Sequence, residues 1–138
     1  MAYQQIQAPI LKQEALAAHI FRIVLHCPSL AAAAVPGQFV HILPPGFTLR
    51  RPISICEINK ENGTLTIVFE VKGNGTQKIA SLRPGETMDV LGPLGHGFTI
   101  LPEAKHVVLV GGGIGNPPML PLAQYYQKRA TVISGFRS

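Results

Sequence analysis

Tryptophan is absent from this 138-residue sequence, cysteine occurs twice, and acidic side chains number 7 against 12 Lys and Arg. Each shortage excludes something. Cys27 and Cys56 stand far apart with no CxxC or Cys/His spacing, so no metal or iron–sulfur site is expected and both read as buried free thiols. No run approaches the roughly 18 consecutive apolar residues of a membrane helix. The opening MAYQQIQAPILKQE lacks the charged-then-apolar pattern of a signal peptide, so the expectation is a cytoplasmic protein with no membrane partner. The formal charge of +5 raises the question of nucleic acid. The basic residues are scattered and have no aromatic interleaving, however, and a few phosphates on a bound cofactor would account for them equally well.

What is present is mostly strand. In HIFRIVLHC (19–27), Phe21, Ile23, Leu25 and Cys27 alternate with mixed neighbours, as a half-buried antiparallel strand does. Pro36-Gly37 is a turn before the strand QFVHIL. PISICEI (52–58), the Asn62-Gly63 turn and TLTIVFEVK (64–72) form a hairpin, for which Asn-Gly is a strong signal. TQKIASL is a short helix that must end before Arg83-Pro84-Gly85, and TMDVLG adds a further strand. About six short strands without βαβ spacing predict a mainly β chain closed into an antiparallel barrel.

The pattern changes after Pro102. HVVLV is apolar on both faces, as a parallel strand buried between helix layers should be. NPPMLPLAQYYQK predicts a helix; Pro117 and Pro118 fit its first turn, whereas Pro121 is harder to place. ATVISG is a second parallel strand. A boundary near Leu101 to Lys105 divides the chain into a barrel, 1–101, and an α/β segment, 102–138.

Four clusters can carry chemistry. Arg51-Pro52-Ile53-Ser54 starts a strand; an arginine can clamp a pyrophosphate with two parallel donors, and a serine beyond it can reach a ring edge. Lys72-Gly73-Asn74-Gly75-Thr76 precedes the short helix, where free N–H groups suit a phosphate and Thr76 can cap. The helix dipole adds only about 0.3–1 kcal/mol, so a partner cation is needed. Gly92-Pro93-Leu94-Gly95-His96-Gly97-Phe98 implies sharp turns and close approach of a flat group or another backbone, with His96 either a proton donor or a solvent-facing loop residue. Gly111-Gly112-Gly113-Ile114-Gly115 follows a strand and opens a helix, but it lacks the GxGxxG spacing. No acidic residue follows within about 20 positions to hold a ribose, which argues against an ordinary Rossmann dehydrogenase.

The order RPIS, GNGT, GPLGHGF, VGGGIGNPP resembles the ferredoxin–NAD(P)⁺ reductase superfamily, and within it the electron-transfer subunits of two-protein, NAD-linked dihydroorotate dehydrogenases. Plant-type reductases usually carry a tyrosine where this sequence has Ile53, which favours the dihydroorotate-type subunit. The resemblance implies a six-stranded FAD-binding barrel followed by an incomplete NAD-binding βαβ segment. It implies that Arg51 holds the FAD pyrophosphate, that Ser54 lies near the flavin ring, and that Pro52 and Ile53 shape its bed. Val68, Phe69 and Glu70 would line the adenosine or ribityl side, and Gly75 and Thr76 would meet the phosphates. Gly111, Gly112, Gly113, Ile114, Gly115, Asn116 and Pro117 would face the NAD nicotinamide nucleotide. No side chain need act as nucleophile or general base, since the cofactor does the redox work.

The resemblance further implies a [2Fe–2S] cluster in the full-length family member and a partner, the FMN-containing dihydroorotate dehydrogenase catalytic subunit. This sequence lacks the cysteine cluster, so a truncated chain without the complete electron path is the expectation. One helix and two strands cannot bury both faces of HVVLV, and a buried Val or Leu is worth about 1.5–3 kcal/mol over an exposed one. Residues 105–138 are therefore expected to pack on the barrel, to swap into a homodimer or larger oligomer, or to be disordered. Two alternatives remain: a sister flavin reductase subunit serving ferredoxin, sulfide or hydrogenase chemistry, and a small basic nucleic-acid-binding barrel.

Overall fold

In the computed structural model, residues 3–137 are described, and they form two sheets. The first is a closed barrel of six strands: β1 (Gln4–Ala17), β2 (Ile20–His26), β3 (Phe39–Leu43), β4 (Arg51–Asn59), β5 (Thr64–Glu70) and β6 (Thr87–Leu94). The strands run in the order β1-β2-β5-β4-β3-β6, every neighbour antiparallel.

The longest strand, β1, has no counterpart in the expectations above. It serves two neighbours in turn: Gln4–Pro9 pair with β6 and Ile10–Ala17 with β2. Pro9 stands at the changeover, where the strand leaves one neighbour for the other and a missing N–H costs least.

Inward-facing Ile, Leu and Val fill the barrel, among them Ile10, Ile23, Leu25, Val40, Ile55 and Ile67. Both ends are plugged. A short helix, α1 (Pro28–Ala33), buries Leu30 and Ala31 at the end where Gly63 turns the β4–β5 hairpin against Pro28. The second helix, α2 (Asn74–Ser81), buries Ile79 at the opposite end, beside the start of β4. It begins two residues before the predicted TQKIASL.

The GPLGHGF loop closes on protein. Phe98 N–H donates to Pro36 O (2.8 Å), and Gln38 Nε2 donates to Gly95 O (2.8 Å). A Cβ on Gly97 would lie 2.8 Å from Pro36 O, so glycine here admits the neighbouring turn, while His96 is exposed.

Beyond the barrel, β7 (Val107–Gly112) and β8 (Ala130–Gly135) pair in parallel, and α3 (Met119–Tyr126) crosses between them. Leu109, Leu122 and Tyr126 make a small second core. Arg129 stacks over Tyr126, its centre 5.2 Å from the ring, and its Nη1 donates to Pro102 O and Ala104 O, which ties the connecting segment to this unit.

HVVLV keeps one face open, as one helix and two strands require: Val108 and Val110 are 55% and 67% exposed, because among the described residues only one helix layer lies against this sheet. The segment is ordered, and it touches the barrel through α3 against β4. One expectation needs correction: the predicted helix over NPPMLPLAQYYQK is shorter, Met119–Tyr126. Pro121 becomes its third residue, still within the first turn whose N–H groups have no intrahelical acceptor.

Candidate functional site

Two neighbouring regions collect the residues singled out above. The first lies at the barrel end plugged by α2. Arg51 opens β4 in register with the inward-facing Ile42, so its side chain leaves through the barrel mouth. There it donates to Leu49 O (2.6 Å) and lies over the Phe47 ring, 5.6 Å from the centroid. Its guanidinium meets the N-terminus of α2 at Gly75, where a Cβ would lie 2.5 Å from Nε and Nη2. Only glycine admits that approach.

Thr76 is the third residue of α2, and its hydroxyl is fully engaged in shaping the loop. Oγ1 accepts from Lys72 N–H (2.9 Å) and Gly73 N–H (3.1 Å) and donates to Gly73 O (3.1 Å). The first-turn amides of Asn74, Gly75 and Thr76 are left without intrahelical acceptors. A guanidinium and a free helix N-terminus converging on one point form an anion site, and the diphosphate of a dinucleotide cofactor fits it.

Strand alternation sorts the remaining β4 and β5 residues. Pro52 and Ser54 point outward and are exposed; Ile53 points into the barrel core and can meet a ligand only through its backbone. Phe69 is also inside, stacked on Phe21 at 6.1 Å. Val68 and Glu70 face out.

They face the second region, a cleft of about 860 Å³ between the barrel wall and the α/β segment. Its barrel side carries Ile20, Arg22, Cys56, Val68, Glu70 and Lys72. Opposite stand Gly113, Ile114, Asn116 and Pro117, followed by Leu120, Phe136 and Arg137. A largely apolar cleft of this size, crossed by a few charged groups, suits a planar organic cofactor. Arg22 is held by Glu14 (3.1 Å) and Lys72 by Glu70 (3.5 Å). Burial, with the neighbouring Glu57 carboxylate second, raises the Cys56 thiol above its ordinary value, so it contributes a neutral group to the wall.

The glycines divide by role. Gly111 and Gly112 still belong to β7, and the turn proper is Gly113–Gly115. A Cβ at Gly111 would lie 2.6 Å from Asn116 Oδ1, so this glycine makes room for protein. Gly113 takes φ +54°, while Gly112 and Gly115 have nothing within 4 Å of a built Cβ and leave the backbone open to a ligand. Asn116 Nδ2 bridges Gly113 O (3.0 Å) and Gly135 O (3.2 Å), locking the turn to the end of β8. Pro117, Pro118 and the delayed start of α3 separate the glycine turn from the helix N-terminus, so a phosphate at this turn would meet backbone amides rather than the helix dipole.

Arg51, Gly75 and the first-turn amide of Thr76 thus share one corner, while Val68 and Glu70 share the cleft with Gly113, Ile114, Asn116 and Pro117. Arg22, Cys56, Phe136 and Arg137 were not singled out as site residues from the sequence. The first two lie on β2 and β4, on either side of β5, and no local pattern marks them. Among the described residues no cluster of His, Cys, Asp and Glu could hold a metal, and Cys27 and Cys56 do not fit an iron–sulfur cluster. Among the described residues no helix is long and apolar enough to cross a membrane.

Comparison with known proteins adds to this geometry. Residues 7–98 match the family profile described as an oxidoreductase FAD-binding domain. Over 120 residues the chain is 42% identical to the electron transfer subunit of dihydroorotate dehydrogenase B (NAD(+)) from Bacillus mycoides; the match covers 83% of this chain and 46% of that protein. The same protein from Bacillus cereus matches equally well. The chain therefore spans about half the length of the curated relatives it matches. Among solved structures, a chain of an NADH-dependent reduced ferredoxin-NADP oxidoreductase superposes with a TM-score of 0.87 at 32% identity, covering 96% of this chain and 49% of that one. Phthalate dioxygenase reductase superposes with a TM-score of 0.77 at 23% identity, covering 97% and 44%, a likeness of fold.

Proposed function

The chain belongs to the oxidoreductase FAD-binding domain family, and from that premise we propose that it is the flavin-bearing part of an electron-transfer subunit linking NAD to a dihydroorotate dehydrogenase catalytic subunit. Residues 1–101 are the flavin unit and residues 102–138 the start of the nicotinamide-nucleotide unit. The observation that carries the reading is the shared cleft: the barrel wall at Val68 and Glu70 faces the glycine turn at Gly113–Pro117 across one cavity. Two planar cofactors anchored from opposite walls would meet there at contact distance.

FAD, when bound, supplies the exchange between two-electron hydride chemistry and single electrons. The protein's part is positional. Arg51 and the amides of Asn74, Gly75 and Thr76 hold the diphosphate, and Ser54 and Pro52 border the ring from the exposed face of β4. Val68 gives the ring an apolar wall, and Gly112 to Gly115 offer backbone to the nicotinamide nucleotide. Leu120 and Ile114 limit water in the cleft, which protects hydride transfer from competing proton chemistry.

The test begins with colour. Purified chain is expected to take up one FAD, to turn yellow, and to bleach with NADH in the absence of oxygen. Arg51→Ala should lower FAD retention at least tenfold while leaving the far-UV circular dichroism spectrum unchanged. Colourless protein that refuses FAD but binds single-stranded DNA with a steep salt dependence would overturn the proposal in favour of a nucleic-acid-binding barrel. A sister reductase role is the second reading, supported by the 32% identity to the ferredoxin-NADP oxidoreductase chain. Co-purification separates the two, since an FMN-containing catalytic subunit is expected under the first and a ferredoxin-linked partner under the second.

A further inference from the structure

Arg50 and Arg51 stand side by side at the head of β4, and backbone alternation sends them to opposite sides of one wall. Arg51 enters the barrel mouth, where its guanidinium meets Gly75. Arg50 lies along the outside, and the diphosphate site makes no use of it. Its Nη2 donates to Asp89 Oδ1 (2.8 Å) and its Nη1 to His41 O (3.1 Å). One guanidinium thus reaches from the head of β4 across β3 to β6. A planar fork engaged at two prongs holds a single orientation. The two charged side chains are only 20% and 17% exposed, and Gln5 Nε2, from β1, donates to Asp89 Oδ2 (3.2 Å).

The loop that Arg50 terminates has few other attachments. Residues 44–49 connect β3 to β4; Phe47 N–H donates back to Pro44 O, and Leu49 is 71% exposed. Among the described residues no hydrogen bond ties this loop to the barrel wall except through Arg50 and Arg51. Yet the loop holds the arginine of the anion site, since Arg51 donates to Leu49 O and lies over the Phe47 ring. Arg50 is the covalent neighbour of Leu49. Its clamp on the outer wall therefore fixes where the Leu49 carbonyl sits, and with it where the Arg51 guanidinium points inside the mouth.

We propose that the Arg50–Asp89 pair is a positioning device for cofactor binding: fastened outside the barrel, it aims Arg51 at the anion site within. This rests on the reading of Arg51 and α2 as the diphosphate site. Arg50 and Asp89 act through Arg51 and do not themselves touch the cofactor.

The sign of one substitution separates this from simple electrostatics. Removing a carboxylate near a polyanionic ligand should tighten binding by charge alone. Positioning demands the reverse: Asp89→Asn is expected to weaken FAD about tenfold, within the range by which residues of one network couple. Arg50→Lys keeps the charge but replaces the fork with a single ammonium, and it should weaken FAD by a similar factor. Asp89→Glu should recover part of the loss. On an Arg51→Ala background, Asp89→Asn should cost less than about threefold, because the group it aims is gone. Flavin fluorescence quenching reads the affinity, and melting of the FAD-free chain reads the fold. Tighter or parent-like FAD binding in Asp89→Asn, or an equal loss with and without Arg51, would overturn the proposal whatever the melting temperatures. If the parent takes up no FAD, the flavin function fails. Inorganic pyrophosphate, titrated into the same variants by calorimetry, then decides the positioning role, and a parent that binds neither ligand overturns both.

Discussion

Replacing Gly75 by alanine should move stability and cofactor affinity in opposite directions. Gly75 is the second residue of α2, and its φ is not positive, so alanine fits the backbone without strain. In a helix alanine is favoured over glycine by up to about 1 kcal/mol, which raises the melting temperature by at most a few degrees. The added methyl, however, would lie 2.5 Å from the Arg51 guanidinium. That group is the mobile end of a long side chain, so it swings away at little cost to the fold. What is lost is its reach to the diphosphate. A hydrogen bond to a charged group contributes about 1.5–3 kcal/mol, so the FAD dissociation constant should rise about 10- to 150-fold. Flavin fluorescence quenching measures the affinity, and thermal denaturation without FAD measures the fold. Arg51→Ala closes a double-mutant cycle: on that background Gly75→Ala should cost less than threefold, because the group it displaces is already gone. Parent-like FAD affinity in Gly75→Ala, or full additivity with Arg51→Ala, would refute the Arg51–Gly75 anion site.

Other changes probe the scaffold. Gly37 has φ +95°, and a Cβ there would lie 2.4 Å from the backbone nitrogen of Phe98, whereas Gly46 has φ +82° with nothing within 4 Å. Gly46→Ala should cost about 1–2 kcal/mol of backbone strain alone, and Gly37→Ala clearly more, since two segments of main chain must separate; equal urea midpoints would sink the distinction. Burial raises the Cys27 thiol from 9.0 to about 11. Between those pH values the unfolded chain has released a proton that the folded chain keeps, so the associated stability is intact below pH 9 and lost as pH climbs to about 11. Cys27→Ala should therefore lose less stability than the parent over that window, by an amount on the order of 2 kcal/mol; parallel urea-midpoint curves would argue against it. Arg129→Ala should loosen the connecting segment, read as faster amide exchange at Ala104, whose N–H donates to Leu101 O.

Much of the barrel was legible because its strands alternate cleanly and its turns carry Asn-Gly and Pro-Gly. The strand β1 was not. Pro9 interrupts Ile6, Ala8 and Ile10, and the glutamines around them give little contrast, so the alternation drops out of the local pattern although the strand supplies one-sixth of the barrel wall. Thr76 was expected to cap α2 from its front. The helix starts earlier because Asn74 and Gly75 can enter it, which turns Thr76 into a brace for the preceding loop. The parallel strands were correctly located, and the open second face of the first followed from a count of elements rather than from any local period. The cleft is non-local in the same way: Arg22, Cys56, Val68 and Phe136 come from four separate strands or their ends.

The split pairing of β1 also governs how the chain folds. Gln4 meets Gly92, and Pro9 meets Thr87. The ribosome must therefore release nearly the whole barrel sequence before the cylinder can be sealed. Contacts so distant in sequence carry the largest loop-closure cost and slow folding. Until they form, the outer edges of β1 and β6 are two unpaired strand edges on a hydrophobic sheet, the form in which neighbouring chains join edge to edge. The hazard of aggregation thus belongs to nascent and refolding molecules, and it disappears with the final seam.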